Sequence, residues 1–241
     1  MIDLTEKVVV ITGCGQGIGA ALARGFAARG ALVVATSHTV PHVEEAALNL
    51  EWDVSDEPQA KIVMNRVLER FGRVDAFVAN AALMPREDYS AISPQSWHEV
   101  LSANLDGAWW GAQAASRIME KQGSGKIVFV SSIEVELGVA VHCHYDASKA
   151  ALIGLTRSLA RAVGKNGVRV NCVMVGAVQT ESELREFPDQ AEVARWCDER
   201  QCIPGRLQPE DIEPTFAFLC SEESDAITGQ VFCADLGLVH Y

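Results

Sequence analysis

The sequence predicts a doubly wound α/β domain with a largely parallel seven-stranded sheet and helices on both faces. Three observations carry that prediction. Short β-branched runs alternate with helix-patterned stretches almost from end to end. The strand runs are nearly continuous in apolar residues, as strands are when both faces of a sheet are covered. The first of them ends in a glycine-rich turn that opens directly into a helix.

Residues 7–12 (KVVVIT) form the first strand, and residues 17–29 are alanine-rich and helical. Residues 31–36 (ALVVAT) read as the second strand and 48–54 as the third. Residues 57–71 carry Ile62, Val63, Val67 and Leu68 as a helical stripe. Residues 74–79 are the fourth strand. Ser93-Pro94 then reads as an N-cap followed by proline at the first helical position, and the helix runs towards Glu120 with a break near Asn104. Residues 126–130 (KIVFV) are the fifth strand, 145–163 a long helix, 168–175 the sixth strand, 209–220 a capped helix and 230–234 the last strand. No internal repeat, low-complexity stretch or linker interrupts this order, so residues 1–241 read as one domain.

The composition narrows the classes of function. A chain of 241 residues buries a core without disulfide or metal staples. With 49% apolar and 22% charged residues it falls outside the disordered and fibrous classes. Thirty-two acids against twenty Lys and Arg leave a net charge of −12, which argues against nucleic acid or an anionic membrane as partner. Phosphate ligands stay open, because a nest of backbone N–H groups binds an anion on an acidic protein. The seven cysteines are scattered without a C-x-x-C pair, and Cys197 and Cys202 lack histidines at zinc-site spacing, so no metal is expected. Reduced thiols, no leader-like N-terminus and no apolar run near the ~18 residues of a membrane span describe a soluble, cytoplasmic chain.

The turn after the first strand is Thr12-Gly13-Cys14-Gly15-Gln16-Gly17-Ile18-Gly19. Glycines let backbone approach a ligand closely, and the helix start offers free N–H groups and a positive dipole end to an anion. Strand, turn and helix in that order point to a dinucleotide pyrophosphate. The second strand ends in Thr36, Ser37 and His38, with no carboxylate for the ribose hydroxyls of NAD. A 2′-phosphate meets no repulsion there and finds hydroxyls and an imidazole, so the reading leans to NADP, although no Arg or Lys stands nearby in sequence to clamp it.

Tyr145 and Lys149 are four residues apart on the long helix and so share a face. An adjacent ammonium favours phenolate and lowers a tyrosine pKa from about 10, which makes an acid/base group usable near neutral pH. A surface tyrosine beside a solvated lysine is the blander reading of any one such pair. Here Ser131 and Ser132 lie at the carboxyl end of the fifth strand, where open α/β sheets bind ligands. Asn104 (NLDG) and Asn80-Ala81-Ala82, at the end of the fourth strand, complete a polar constellation beside the dinucleotide turn.

With these motifs assembled, the chain resembles the short-chain dehydrogenase/reductase family over essentially its whole length. The matching features are TGCGQGIG for TG-x-x-x-GIG, Asp53-Val54, Asn80-Ala81-Ala82 for NAG, NLDG for N-x-x-G, and a serine thirteen residues before Y-x-x-x-K, which selects Ser132. Pro209–Ile212, Phe218-Leu219, Ser221 and Thr228–Gln230 match the family's C-terminal stretch. The resemblance implies a Rossmann-type fold, an NAD(P)(H) cofactor and interconversion of a secondary alcohol and a ketone. It implies a tetrad in which Tyr145 transfers the proton, Ser132 hydrogen-bonds the substrate oxygen, Lys149 holds the nicotinamide ribose and depresses the tyrosine pKa, and Asn104 anchors a water. It assigns Gly13, Gly15, Gln16, Gly17, Ile18 and Gly19 to the pyrophosphate, Ser37 and His38 to the adenosine end, and Asp53 and Val54 to the adenine. Asn80, Ala81, Ala82, Gly176 and Val178 serve the middle and carboxamide end of the cofactor. A homotetramer or dimer is also implied. Three departures stand out: Val175-Gly176 for Pro-Gly, Ala82 for glycine, and Asp235-Leu236-Gly237 for DGG.

Glu134 and Glu136, with His142 and His144, invite a metal reading that is outweighed by a polar loop with alternate residues facing water. Because Ser132 and Tyr145 must reach one substrate atom, the segment between them also lines the pocket, with Met84, Ile133, Glu134 and Val139 as candidate substrate contacts. Residues 181–200 read as an amphipathic solvated helix that serves as a substrate lid. Trp109 and Trp110 read as packing or subunit-interface residues. The competing function is a non-catalytic dinucleotide sensor that retains the fold. The intact tetrad distinguishes the two, since a pure binding module is free to lose it.

Overall fold

A computed structural model describes residues 2–240. Seven strands form one sheet in the order β3-β2-β1-β4-β5-β6-β7, and every pairing is parallel. The strands are β1 (Val8–Thr12), β2 (Leu32–Ser37), β3 (Leu48–Glu51), β4 (Ala76–Ala79), β5 (Gly125–Ser132), β6 (Val168–Val175) and β7 (Val231–Ala234). The main helices are α1 (Gly17–Ala28), α2 (Glu57–Phe71), α3 (Pro94–Leu101), α4 (Gly107–Gln122), α5 (Glu134–Leu137), α6 (Cys143–Val163), α7 (Glu181–Glu186), α8 (Gln190–Asp198) and α9 (Pro209–Cys220).

The continuous apolar strands are explained by two cores, one per face. Successive side chains of a strand point to opposite faces. Val8 and Val10 of β1 therefore join Phe77, Ile127 and Phe129 beneath α2, α4 and α6. Val9 and Ile11 join Val78, Val128 and Val130 beneath α1 and α9. Helix α4 comes close to β4 at Gly111, where an added Cβ would lie 2.4 Å from the Phe77 ring. The strand order reverses between β1 and β4, and that reversal opens a crevice at the carboxyl ends of the strands.

Element limits move by one to three residues for identifiable reasons. The third strand stops at Glu51, short of the expected residue 54, because Asp53 Oδ1 accepts both the N–H and the hydroxyl of Ser55 at 3.0 and 2.7 Å and turns the chain. The fourth strand starts at Ala76 because the Asp75 carboxylate is engaged with the Val8 N–H (2.8 Å) and the Arg73 guanidinium. The fifth strand outruns its expected end at residue 130 and carries Ser131 and Ser132 into register with Met174 and Val175. The expected helix break is a π turn over Ser102–Asp106, with Asn104 at its centre. Residues 181–200 divide into α7 and α8 around Pro188, where a continuous helix was expected. Helix α9 is capped as expected: Gln208 and Asp211 form a reciprocal capping box. Among the described residues no helix is long and apolar enough to cross a membrane.

Two non-glycine residues sit at positive φ. Leu236 (φ 57°) occupies the middle of Asp235-Leu236-Gly237, where the resembling family has glycine, and its side chain packs against the α1/α9 core. Glu6 (φ 60°) forms the turn into β1 with its side chain exposed. A Cβ in the left-handed region costs about 1–2 kcal/mol. Glu6→Gly relieves that strain without removing packing, at the cost of extra unfolded-chain entropy. It is expected to stabilise the protein by about 1 kcal/mol and to raise Tm by about 2–4 °C in calorimetry.

Candidate active site

The turn between β1 and α1 is shaped by contacts that exclude side chains. A Cβ on Gly19 would lie 2.2 Å from the Gly13 carbonyl oxygen, so only glycine lets the first turn of α1 lie back on the loop. Gly17, at φ 56°, turns its N–H outwards at the helix start. That N–H donates to Glu181 Oε2 at 2.9 Å, so a carboxylate from α7 sits at the N-terminus of α1. Gln16 Nε2 donates to Ser182 Oγ at 2.8 Å, and Arg185 reaches both Gln16 and Ser182. An anion held on free helix N–H groups is what a pyrophosphate would be. The carboxylate therefore acts as a stand-in and tests the site: the residues fit a dinucleotide phosphate.

At the adenosine end, Ser37 Oγ lies against Gly15, 3.1 Å from where its Cβ would be. His38 is largely exposed, with Nε2 3.8 Å from Asp53 Oδ2. Asp53 and Val54 line the cleft beside it, and no Lys or Arg lines that end. On the opposite wall, Asn80 Nδ2 donates to the carbonyl oxygens of Thr12 (2.9 Å) and Gly13 (3.2 Å).

Ser132 and Tyr145 meet at the inner end of this cleft. Both line the cleft wall, and Tyr145 is buried. Burial, and next the Glu134 carboxylate, push the Tyr145 pKa well above its ordinary value, while Ser132 works in the other direction. This corrects the expectation that Lys149 depresses the tyrosine. Lys149 Nζ lies 5.7 Å from the centre of the phenol ring and donates to the Val130 carbonyl at 2.8 Å. Burial lowers its own pKa to about 8. Ser131, set aside by the spacing argument, holds the helix instead: its hydroxyl donates to the Lys149 carbonyl at 2.9 Å.

Asn104 is buried one layer back. Its Oδ1 accepts the Leu83 N–H (2.7 Å), and its Nδ2 donates to the Leu83 carbonyl (2.8 Å) and to Ser148 Oγ (3.0 Å). The side-chain amide is thereby engaged on both atoms.

The segment between Ser132 and Tyr145 is only in part the water-facing loop expected of alternating polar residues: Glu136 is exposed, but the histidines are not. It contains the single turn α5, and His142 and His144 are fully buried. His142 Nδ1 is 2.8 Å from Glu134 Oε2, and its ring meets Tyr145 edge-on with centroids 5.9 Å apart. His144 accepts the Tyr145 N–H at 3.0 Å and faces Glu87 at 3.8 Å. Among the described residues no three His, Cys, Asp or Glu side chains converge as a metal-binding group.

One cleft of about 2030 Å³ is lined by the glycine turn, Gln16, Ile18, Ser37, His38, Asp53, Val54, Asn80, Ala81, Ala82, Gly176, Val178, Ser132 and Tyr145, together with Met84, Ile133, Glu134 and Val139. That is roomier than the ~300–1,000 Å³ of a usual small-molecule pocket and suits a dinucleotide with a second molecule. Gly19, Asn104 and Lys149 lie buried behind its wall. Sequence reasoning missed Arg86, Glu87 and Thr180 on the cleft wall; Phe187 and Trp196 on that wall, and Glu181 on Gly17, fall in the segment read as a lid. Arg86 stacks 4.7 Å over the Phe187 ring and so joins two segments 101 residues apart, a tertiary contact with no local signal.

Comparison with known proteins agrees with this geometry. The family described as enoyl-(acyl carrier protein) reductase matches residues 13–239. A probable galactose dehydrogenase of Rhizobium meliloti (strain 1021) is 34% identical over 247 residues, covering 98% of this chain and 96% of that one. An L-rhamnose 1-dehydrogenase (NAD(P)(+)) of Sphingomonas sp. (strain SKA58) is 34% identical over 248 residues, covering 98% and 97%. The solved gluconate 5-dehydrogenase of Burkholderia cenocepacia J2315, in complex with NADP and tartrate, superimposes with a TM-score of 0.90 at 30% identity, over 98% of this chain and 96% of that one. A chain that shares their fold and length, with a phosphate cradle at the switch point of its sheet, belongs to the short-chain dehydrogenase/reductase family of NAD(P)-dependent oxidoreductases.

Proposed function

We propose that the protein interconverts a secondary alcohol and a ketone, with Tyr145 as the group that moves the proton. The observation that carries this reading is that Ser132 and Tyr145 line the inner end of the same cleft whose outer end holds an anion on α1. Bound NAD(P) supplies the hydride acceptor or donor. The chain supplies the rest. Ser132 and Tyr145 aim two hydroxyls at one substrate oxygen, and the closed inner end keeps bulk water from the phenol. In oxidation the phenolate of Tyr145 takes the alcohol proton; in reduction the neutral phenol gives it back. Lys149 and Asn104 lie behind the phenol as the route by which that proton is exchanged.

Removing the proton-transfer group tests the assignment directly. Tyr145→Phe is expected to lower kcat by about 10²–10⁴-fold in both directions while cofactor titration stays near wild type. The raised phenol pKa also sets the pH dependence. Reduction needs the neutral phenol, which predominates through neutral pH, so its rate is expected to be flat there. Oxidation needs phenolate and is expected to climb with pH without a plateau below the phenol's ordinary value of 10.0. An oxidation profile that levels off near neutrality would sink the assignment.

For the adenosine end we propose a preference for NADP(H), with Ser37 and His38 receiving the 2′-phosphate. Calorimetric titration should show tighter binding of NADPH than NADH. His38→Ala should weaken NADPH about tenfold, the worth of one charge-assisted hydrogen bond, with little change for NADH. The same titration reads the stand-in carboxylate. Glu181→Gln removes an anion from the N-terminus of α1, worth ~0.3–1 kcal/mol or more, and should tighten both cofactors several-fold.

A further inference from the structure

We propose that Glu134, held by buried His142, is a specificity-determining residue that accepts a hydrogen bond from a hydroxyl on the carbon next to the reacting carbinol, so that neutral vicinal diols and sugars are selected over simple alcohols and over hydroxy acids. The inference rests on the alcohol/ketone reading above and deepens it.

Its position comes first. Glu134 stands two residues after Ser132, and its N–H donates to Ser132 Oγ at 3.2 Å. The same peptide unit thus fixes the group that meets the reacting oxygen and the carboxylate beside it. Glu134 lines the cleft with Tyr145, and its side chain is 19% exposed. A substrate whose oxygen lies between Ser132 and Tyr145 puts its neighbouring carbon beside this carboxylate.

The clamp is built from buried polar groups. His142, with no exposed surface, holds Oε2 through Nδ1 at 2.8 Å. Asp146, close behind it, is anchored through Oδ2 by the Val139 N–H at 3.0 Å. Burial and the adjacent Glu134 charge raise the Asp146 pKa to about 6. A carboxylate has about four lone-pair sites, and the clamp fills only part of that capacity. The remainder faces the cleft, where a substrate hydroxyl is the donor that fits.

The arrangement also opposes the chemistry beside it, which argues for a binding role. An anion next to the phenol makes phenolate harder to form, and a site that only oxidised simple alcohols would be better served by an amide. The wall of the same cleft carries Glu87, Glu186, Asp189 and Glu192 against Arg86 and Arg200. A substrate carboxylate is repelled there, and rejection of this kind supplies specificity as surely as attraction does.

The test is the oxidation of cyclohexanol, trans-cyclohexane-1,2-diol and 2-hydroxycyclohexanecarboxylate by wild type, Glu134→Gln and Glu134→Asp, each with saturating NAD+ and NADP+. Wild type should favour the diol over cyclohexanol by about tenfold in kcat/KM, the value of a hydrogen bond to a charged acceptor, and should favour the hydroxy acid least. Glu134→Gln should lose about tenfold more on the diol than on cyclohexanol, recover activity on the hydroxy acid, and move the oxidation pH profile to lower pH. Glu134→Asp keeps the charge and should lose the diol preference while still rejecting the hydroxy acid. Equal losses on diol and cyclohexanol in both variants, with an unmoved pH profile, would mark Glu134 as merely structural and overturn the proposal. Wild-type oxidation with no diol preference overturns it alone; wild-type inactivity on all three alcohols overturns the alcohol/ketone reading with it.

Discussion

The molecule is organised around a clasp at the point where its sheet changes direction. One amide, Asn80 Nδ2, donates to the carbonyls of Thr12 and Gly13, while the Thr12 hydroxyl accepts the N–H groups of Asn80 and Ala81 at 3.0 Å. These bonds close the gap between β1 and β4, the only neighbouring strands between which the winding reverses. They also satisfy backbone groups that a buried turn would otherwise leave unpaired. The Gly13 carbonyl, once pinned, leaves no room for a side chain at Gly19, and that close approach sets the direction in which α1 leaves the sheet. The anion cradle, the cleft and the distance to Tyr145 all follow from that angle.

Much of this was legible in the sequence because the fold writes itself locally. A strand buried on both faces must be apolar at every position, so the runs at Val8–Thr12, Ala76–Ala79 and Val168–Val175 announce themselves. The glycine turn is required by contacts within a few residues, and Asn104 shows its helix irregularity through the small and polar residues around it. What stayed hidden depends on groups distant in sequence or on burial that composition does not record. His142 and His144 look like loop residues, and only the packing of α5 and α6 against β5 encloses them. Glu181 is 164 residues from the N–H it binds. Limits such as Glu51 and Ala76 are set by side-chain hydrogen bonds that end a strand before its apolar pattern does.

The electrostatics of the site turn on burial more than on proximity. Tyr145 and Lys149 share a helix face as their spacing requires, yet the same enclosure that excludes water makes both charged forms costly. The phenol is held neutral and the ammonium is made easier to deprotonate. Lys149 spends a hydrogen bond on the Val130 carbonyl, which ties the helix to the strand that carries Ser132. The contacts that stabilise the β5/α6 junction are therefore the ones that hold Ser132 and Tyr145 on the cleft wall.

The carboxylate at the start of α1 has a wider consequence. Because Glu181 is attached to the chain, it acts as a tethered ligand, present at an effective concentration that no dilute solute matches. Sulfate, inorganic phosphate and short organic anions, which readily settle on a bare helix N-terminus, meet an occupied seat. Only a ligand that gains elsewhere along the cleft, over a length comparable to a dinucleotide, has enough in reserve to evict it. The free protein is in this way several-fold less receptive to the small anions of its surroundings. Its selectivity for a long, two-ended molecule begins with a residue that need never touch that molecule.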